Sequence, residues 1–339
     1  MSKADNMLIM LIAALMVPLL AYSQQRFHRE LPPGNYSGIC SLGDGRFALI
    51  SDKAAEDGFY VVSIGTDSLR DAAGNPSRRA DQPRITSMVN EGYRSSGQPN
   101  RDMEGICYFP PARTLFISGE RDNEVLEYTL DGQRTGRRLQ MPADFQRASH
   151  NYGIEALCYD TLRHRFFLTT ERPLSGDSLL RLQSFTDDLK PAECYLYRPD
   201  APISRKYFHG VSALCALSDG RLLVLERQLR VPRLKLGARA VTRIYEVTLP
   251  PTALSPAPDS TQNYPTLPPQ LLNSYTNKHL LLEFTTRLTL TSRKFANYEG
   301  LCEPAPDLLL LVADSQNRYK GVLRDWFRLV KLKKGCVIM

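Results

Sequence analysis

The 339-residue sequence lacks the signatures of several large function classes. It has no Cys-x-x-Cys and no Cys/His pairing at ligand spacing, which argues against a zinc cluster. No Gly-x-Ser-x-Gly elbow is present for a serine hydrolase, and no P-loop or dinucleotide fingerprint for nucleotide chemistry. The formal net charge of +7 does not point to nucleic acid, because there is no basic-faced helix, zinc-finger spacing or RNA-binding aromatic signature. The excess arginine is scattered, as at Arg78-Arg79, Arg137-Arg138 and from Arg227 to Arg243. That pattern favours a small anionic substrate or ligand only weakly. After Leu20 no segment is long and apolar enough to cross a bilayer, so no membrane span is expected in the mature chain.

The first residues do carry an apolar run. Lys3 precedes the unbroken stretch Met7 to Leu20, and Ala21-Tyr22-Ser23 offers a small-x-small cleavage signal. Residues 1–23 therefore read as a signal peptide, and residues 24–339 as one exported domain, periplasmic or extracellular. No Cys follows the cleavage point, which argues against a lipoprotein anchor. The C-terminal Cys336-Val-Ile-Met339, with Lys331, Lys333 and Lys334 upstream, fits a prenylation pattern. That modification belongs to cytosolic chains, it conflicts with export, and four residues match so loose a pattern easily.

What the sequence has instead is a repeat. Five segments superpose: Tyr36-Ser-Gly-Ile-Cys40 running to Asp52, Met103-Glu-Gly-Ile-Cys107 to Glu120, Gly153-Ile-Glu-Ala-Leu-Cys158 to Glu171, Val211-Ser-Ala-Leu-Cys215 to Glu226, and Tyr298-Glu-Gly-Leu-Cys302 to Asp314. Each has a small residue, an aliphatic residue, Cys, a turn, a short apolar run and an acid. Gly43-Asp44-Gly45 and Ser218-Asp219-Gly220 mark turns, and the apolar runs are too short for helices. The aligned cysteines lie 67, 51, 57 and 87 residues apart, bracketing a four-stranded propeller blade with its loops. A lone sheet cannot bury both faces, so blades must stack and the ring must close. The expectation is an all-β, five-bladed β-propeller, or six if the Cys215–Cys302 interval conceals a blade. The last blade is short of chain, so an N-terminal strand near Arg26 to Leu31 is expected to complete it.

Five of the seven cysteines share one repeat position, where neighbours on adjacent blades stand too far apart for a disulfide. They read as buried core thiols, with Cys194 and Cys336 outside the pattern.

Two acidic registers emerge. The first holds Glu104, Glu155 and Glu299, with Ser37 and Ser212 in the remaining units; the second holds Asp52, Glu120, Glu171, Glu226 and Asp314. Equivalent positions lie at one height around a propeller axis, so these carboxylates should gather in the channel mouth. Clustered carboxylates repel unless a cation or arginine compensates them. One reading is a hard-cation site, Ca²⁺ in the first place, drawing on Glu104, Glu155, Glu299, Asp52 and Asp314. The other is acid/base catalysis by Glu104, Glu155 and Glu299. Arg121, Arg172 and Arg227, each following a second-register acid, are candidate substrate ligands, as is His209, with His150 placed similarly. The plain alternative is that acid–arginine pairs merely link blades.

The stretches Glu104-Gly-Ile-Cys107, Thr170-Glu-Arg172, Gly210-Val-Ser-Ala-Leu214 with Gly220 to Arg227, and Asn297-Tyr-Glu-Gly-Leu301 with Leu311-Val-Ala-Asp-Ser315 come in an order that resembles the phytase-like family, also described as "esterase-like activity of phytase". The resemblance implies an exported bacterial propeller that hydrolyses phosphate or other anionic esters. The chain departs from a regular pattern at Ser37 and Ser212. A non-catalytic ligand- or protein-binding propeller and a lactonase-like metal-dependent hydrolase are the alternatives.

Overall fold

The apolar runs of the repeat form strands that lie between neighbouring sheets, which is why they are hydrophobic on both faces. The protein is seen here as a computed structural model that describes residues 22–25, 31–66, 85–149, 152–251, 275–319 and 322–332.

Five four-stranded antiparallel sheets make five blades. Blade I comprises β2 (Tyr36–Gly43), β3 (Arg46–Ser51), β4 (Glu56–Thr66) and β5 (Ile85–Pro99). Blade II comprises β6 (Met103–Phe109), β7 (Thr114–Gly119), β8 (Glu124–Tyr128) and β9 (Arg134–Arg138). Blade III follows with β10 (Ile154–Asp160), β11 (Arg165–Thr170), β12 (Leu180–Thr186) and β13 (Pro191–Tyr197). Blade IV is built from β14 (Phe208–Ala216), β15 (Leu222–Arg230), β16 (Arg239–Thr248) and β17 (Asn277–Arg287). Blade V takes β18 (Asn297–Ala305), β19 (Leu308–Asp314) and β20 (Phe327–Lys331), and its outer strand is β1 (Tyr22–Gln25) from the other end of the chain.

The ring is thus closed by pairing the two ends of the chain, as the shortage of residues after Cys302 implies. The closing strand lies a few residues before the expected one; of that stretch, residues 26–30 fall outside the described residues. Tyr22 and Ser23 pair with Val330 and Leu329, while Gln24 and Gln25 pair with Arg328 and Phe327. The long Cys215–Cys302 interval holds the β16–β17 hairpin, and residues 252–274, most of the Pro-rich excursion, lie outside the described residues. Among the described residues no helix is long and apolar enough to cross a membrane.

Inner strands β2, β6, β10, β14 and β18 touch their neighbours on both sides around the axis. The repeat's small residue exists for this contact: a Cβ on Gly38 would lie 2.8 Å from the Glu104 carbonyl oxygen of the next blade. Each blade interface is a separate apolar cluster. Between blades I and II, for example, Ile50, Phe59, Met103, Leu115 and Tyr128 are buried together. Burying one such large side chain is worth about 1.5–3 kcal/mol. Cys40, Cys107, Cys158, Cys215 and Cys302 each sit in one of the five interfaces, buried and free, as core thiols. Cys194 is also buried and free, and Cys336 lies outside the described residues.

Candidate functional site

The first acidic register is created by a backbone irregularity shared by all five inner strands. In each, the pairing with the second strand slips by one residue at the register position. Tyr36 pairs with Ser51 and Gly38 with Ile50, so Ser37 is extra. The slip recurs across Met103 and Ile106, Ile154 and Ala156, Val211 and Ala213, and Tyr298 and Gly300. Such a β-bulge re-aims the unpaired side chain. Here Ser37, Glu104, Glu155, Ser212 and Glu299 all line one end of the channel.

The serines and glutamates at these positions behave differently. Ser37 Oγ donates to the Met103 carbonyl of the next blade at 2.6 Å, and Ser212 Oγ to the Tyr298 carbonyl at 3.4 Å. They fasten blades. The glutamates face one another instead, and burial pushes all three carboxyls upward. For Glu155 and Glu299, Arg227 opposes that rise. For Glu104 every other named influence is a further carboxylate, led by Glu155 and Glu299.

One half of the mouth is organised by Arg227. Its Nη2 lies 3.1 Å from Glu155 Oε1, 3.2 Å from Glu299 Oε1 and 3.4 Å from Glu171 Oε1. Asn297 Nδ2 adds a donor to Glu299 Oε1 at 2.7 Å. Arg227 reaches the axis because β15 does not stop at Glu226 but continues to Arg230, so the alternation of the strand turns Arg227 inward and Glu226 away. Glu226 consequently lies apart from the mouth acids, bonded to Tyr197 Oη and Lys278 Nζ, both at 2.6 Å. The expectation that the second register forms one ring is corrected at this position.

The other half contains Glu104, Asp52 and Asp102. One carboxylate oxygen from each lies within 4.8 Å of the others, an arrangement with metal-ligand spacing. Glu104 is 9 % exposed and has no hydrogen-bond or ion-pair partner among the described residues. Lys53 Nζ bridges Asp52 Oδ2 and Asp102 Oδ1, 2.8 Å from each. Burial raises the Asp52 carboxyl, with Lys53 and Asn35 pulling it back.

Asp102 was not foreshadowed by the repeat, because an acid stands at its position in only one unit. The equivalents are Asn35, Gly153, Gly210 and Asn297. That column nevertheless follows a steric rule. A Cβ on Gly153 would lie 3.1 Å from the Glu120 carbonyl oxygen, and one on Gly210 2.8 Å from that of Glu171, with each Glu side chain also in the way. Where the preceding acid is the shorter Asp52 or Asp314, the place takes a side chain, Asp102 or Asn35, and Asn297 has room because the preceding Glu226 is turned toward Tyr197 and Lys278. Glu120 Oε1 accepts the Gly153 N–H at 3.2 Å, and Asp314 Oδ1 accepts that of Gln316 at 2.6 Å. Asp314, largely through burial, is raised to about 6.

The remaining predicted ligands stand farther out. Arg121 is 66 % exposed, donates to the Asn100 carbonyl at 3.2 Å and brings its Nη2 to 3.9 Å from Asp102 Oδ2. Arg172 lies over the Tyr152 ring, 4.0 Å from its centre. His209 is held below its ordinary pKa by burial and by the charge of Arg172. His150 lies outside the described residues. Below the glutamates, Ile39, Ile106, Leu157, Leu214 and Leu301 separate the mouth from a second cavity of about 230 Å³ lined by the five repeat cysteines, Tyr108 and Tyr159.

Solved structures similar to the chain include a luciferin-regenerating enzyme (9% identity, 93% of this chain and 98% of that one, TM-score 0.44). Others are a streptogramin B lyase (10%, 92% and 98%, 0.38) and a PQQ-bound aldose sugar dehydrogenase from Streptomyces coelicolor (13%, 93% and 99%, 0.37). Likenesses this loose carry no argument about chemistry. No curated protein matches the sequence. The phytase-like family model, "esterase-like activity of phytase", matches residues 32–315, which span all five bulged inner strands, and the chain belongs to that family.

Proposed function

We propose that this propeller is an exported hydrolase of phosphate or other anionic esters that works with a divalent cation, calcium in the first place, held at the channel mouth. The observation that carries the reading is Glu104: a residue 9 % exposed, without a hydrogen-bond or ion-pair partner among the described residues, its carboxylate converging with Asp52 and Asp102. A donor set made only of carboxylate oxygens suits a hard cation. When bound, the cation would neutralise the ester's anionic oxygens and stabilise charge developing during hydrolysis.

The chain's own groups supply the rest. Glu155 and Glu299, anchored by Arg227 and raised by burial, are placed to exchange a proton with water or a leaving group. Arg227 is committed to three carboxylates and acts as a positioning residue. The outlying Arg121 and Arg172 suit attraction of an anion to the rim, beside which His209, held below its ordinary pKa, is a neutral hydrogen-bonding ring. The aliphatic layer under the glutamates keeps the mouth shallow, so only the reacting group of a substrate enters. The apolar N-terminal run and Ala21-Tyr22-Ser23 support periplasmic or extracellular placement.

The test is turnover of phosphomonoester, phosphodiester, carboxylester and lactone substrates by purified protein, with chelator and after calcium is restored. Phosphoester turnover lost with chelator, recovered with calcium and absent in Glu104→Gln is the expected result. Chelator-insensitive turnover, or turnover unchanged in Glu104→Gln, would overturn it. Preference for lactone would favour the lactonase-like alternative, and cation binding without turnover of any class a binding propeller.

A further inference from the structure

We infer that Lys53 is a tethered occupant of the Asp52–Asp102–Glu104 site, displaced by a divalent cation and then available to the anionic ligand at the rim. The inference rests on the cation reading above and adds a regulation to it.

The two aspartates are held independently of the ammonium between them. Asn100 Nδ2 donates to the carbonyls of Ser51, Asp52 and Ala54 at 3.1, 3.1 and 2.7 Å, fixing the turn that carries Lys53. Asn100 Oδ1 accepts the Asp102 N–H at 2.8 Å, and Asp102 sits in the left-handed region at φ 59°. One buried amide thus clamps both Asp52 and Asp102, and their carboxylates stay close whichever cation lies between them.

Lys53 compensates this cluster incompletely. Its single charge meets Asp52 and Asp102, and the exposed Arg121 adds only a 3.9 Å approach to Asp102, while Glu104, 9 % exposed, is left without a partner among the described residues. A divalent ion brings a second charge and takes oxygens from all three acids, as its coordination number demands. The lysine side chain is 51 % exposed and rides on a flexible four-carbon stem, so it has a path out. Once released it remains tethered at the mouth, a compact cation beside the bound ion. Cation binding should therefore precede and strengthen anion binding.

Calorimetry with calcium alone, and then with inorganic phosphate in saturating calcium, separates the two halves of the inference. Lys53→Ala removes two partly exposed ion pairs, so calcium should bind about three- to tenfold more tightly. Phosphate in the presence of calcium should bind more weakly by a similar factor. Lys53→Arg, which keeps the charge, should leave calcium affinity close to wild type. Equal or weaker calcium affinity in Lys53→Ala overturns the inference while leaving the cation site standing. Absence of calcium binding in wild type and Lys53→Ala alike overturns both. Tighter calcium binding with unchanged phosphate affinity overturns the second role of the lysine. Unchanged circular dichroism keeps misfolding out of the comparison.

Discussion

The two halves of the mouth are built on the same bulged strands yet compensate their acids in opposite ways. Around Arg227, three buried carboxylates share one guanidinium, whose side chain is only 13 % exposed. Around Glu104, a half-exposed lysine bridges two aspartates and the exposed Arg121 reaches only Asp102, so among the described residues no cation meets the glutamate. A buried charge pair costs desolvation and is maintained when both partners remain; a buried carboxyl with no partner keeps its proton or takes a cation. The Arg227 half therefore needs no added cation to hold its proton-exchanging acids, and the Glu104 half is the one with capacity to bind one.

Removing Arg227 should give the largest effect. Arg227→Met leaves Glu155, Glu171 and Glu299 without their countercharge and should cost about 3–5 kcal/mol in urea unfolding at neutral pH. A variant as stable as wild type would erase the contrast. Next, Gly210→Ala places a methyl against Glu171 and its carbonyl, and should cost about 1–3 kcal/mol by pushing Glu171 off Arg227. No change in unfolding midpoint would count against the tight fit of that half.

Glu104→Gln should act with the opposite sign. Burial raises the native carboxyl, so the folded state keeps a proton that the unfolded chain releases above about pH 4.3. Stability is lost as pH climbs from there toward the native value. With chelator present, Glu104→Gln should be more stable than wild type at pH 8 by about 1 kcal/mol or more, and equal to it near pH 4. The same change at Glu155 gives up a charge-assisted bond to Arg227 and should stabilise less. Thermal midpoints at the two pH values check both, and a pH-independent difference would sink the Glu104 assignment. The smallest effect belongs to the serines: Ser212→Ala loses only a 3.4 Å bond and should cost under about 1 kcal/mol, less than Ser37→Ala with its 2.6 Å bond.

The ring of blades was legible in the sequence because the same packing problem is solved five times, leaving Gly or Ala, an aliphatic residue and Cys in register. The bulge left its trace as Glu or Ser before the small residue, enough to identify Glu104, Glu155 and Glu299 as neighbours. Three things were not legible. Glu226 matches the second register by spacing, but β15 runs on to Arg230 and strand alternation exchanges its place with Arg227. Asp102 stands in a column where space, not charge, selects the residue, so no repetition marks it. The division of the mouth depends on which acids one arginine can reach, and that distance exists only once the ring has closed.

The most direct test of the divided mouth is a crystal structure of the protein soaked with Mn²⁺, read by its anomalous signal. A peak is expected among Asp52, Asp102 and Glu104, with Lys53 turned away and Arg227 still on its three carboxylates. A peak between Glu155 and Glu299 with Arg227 displaced, or none at the mouth, would contradict it.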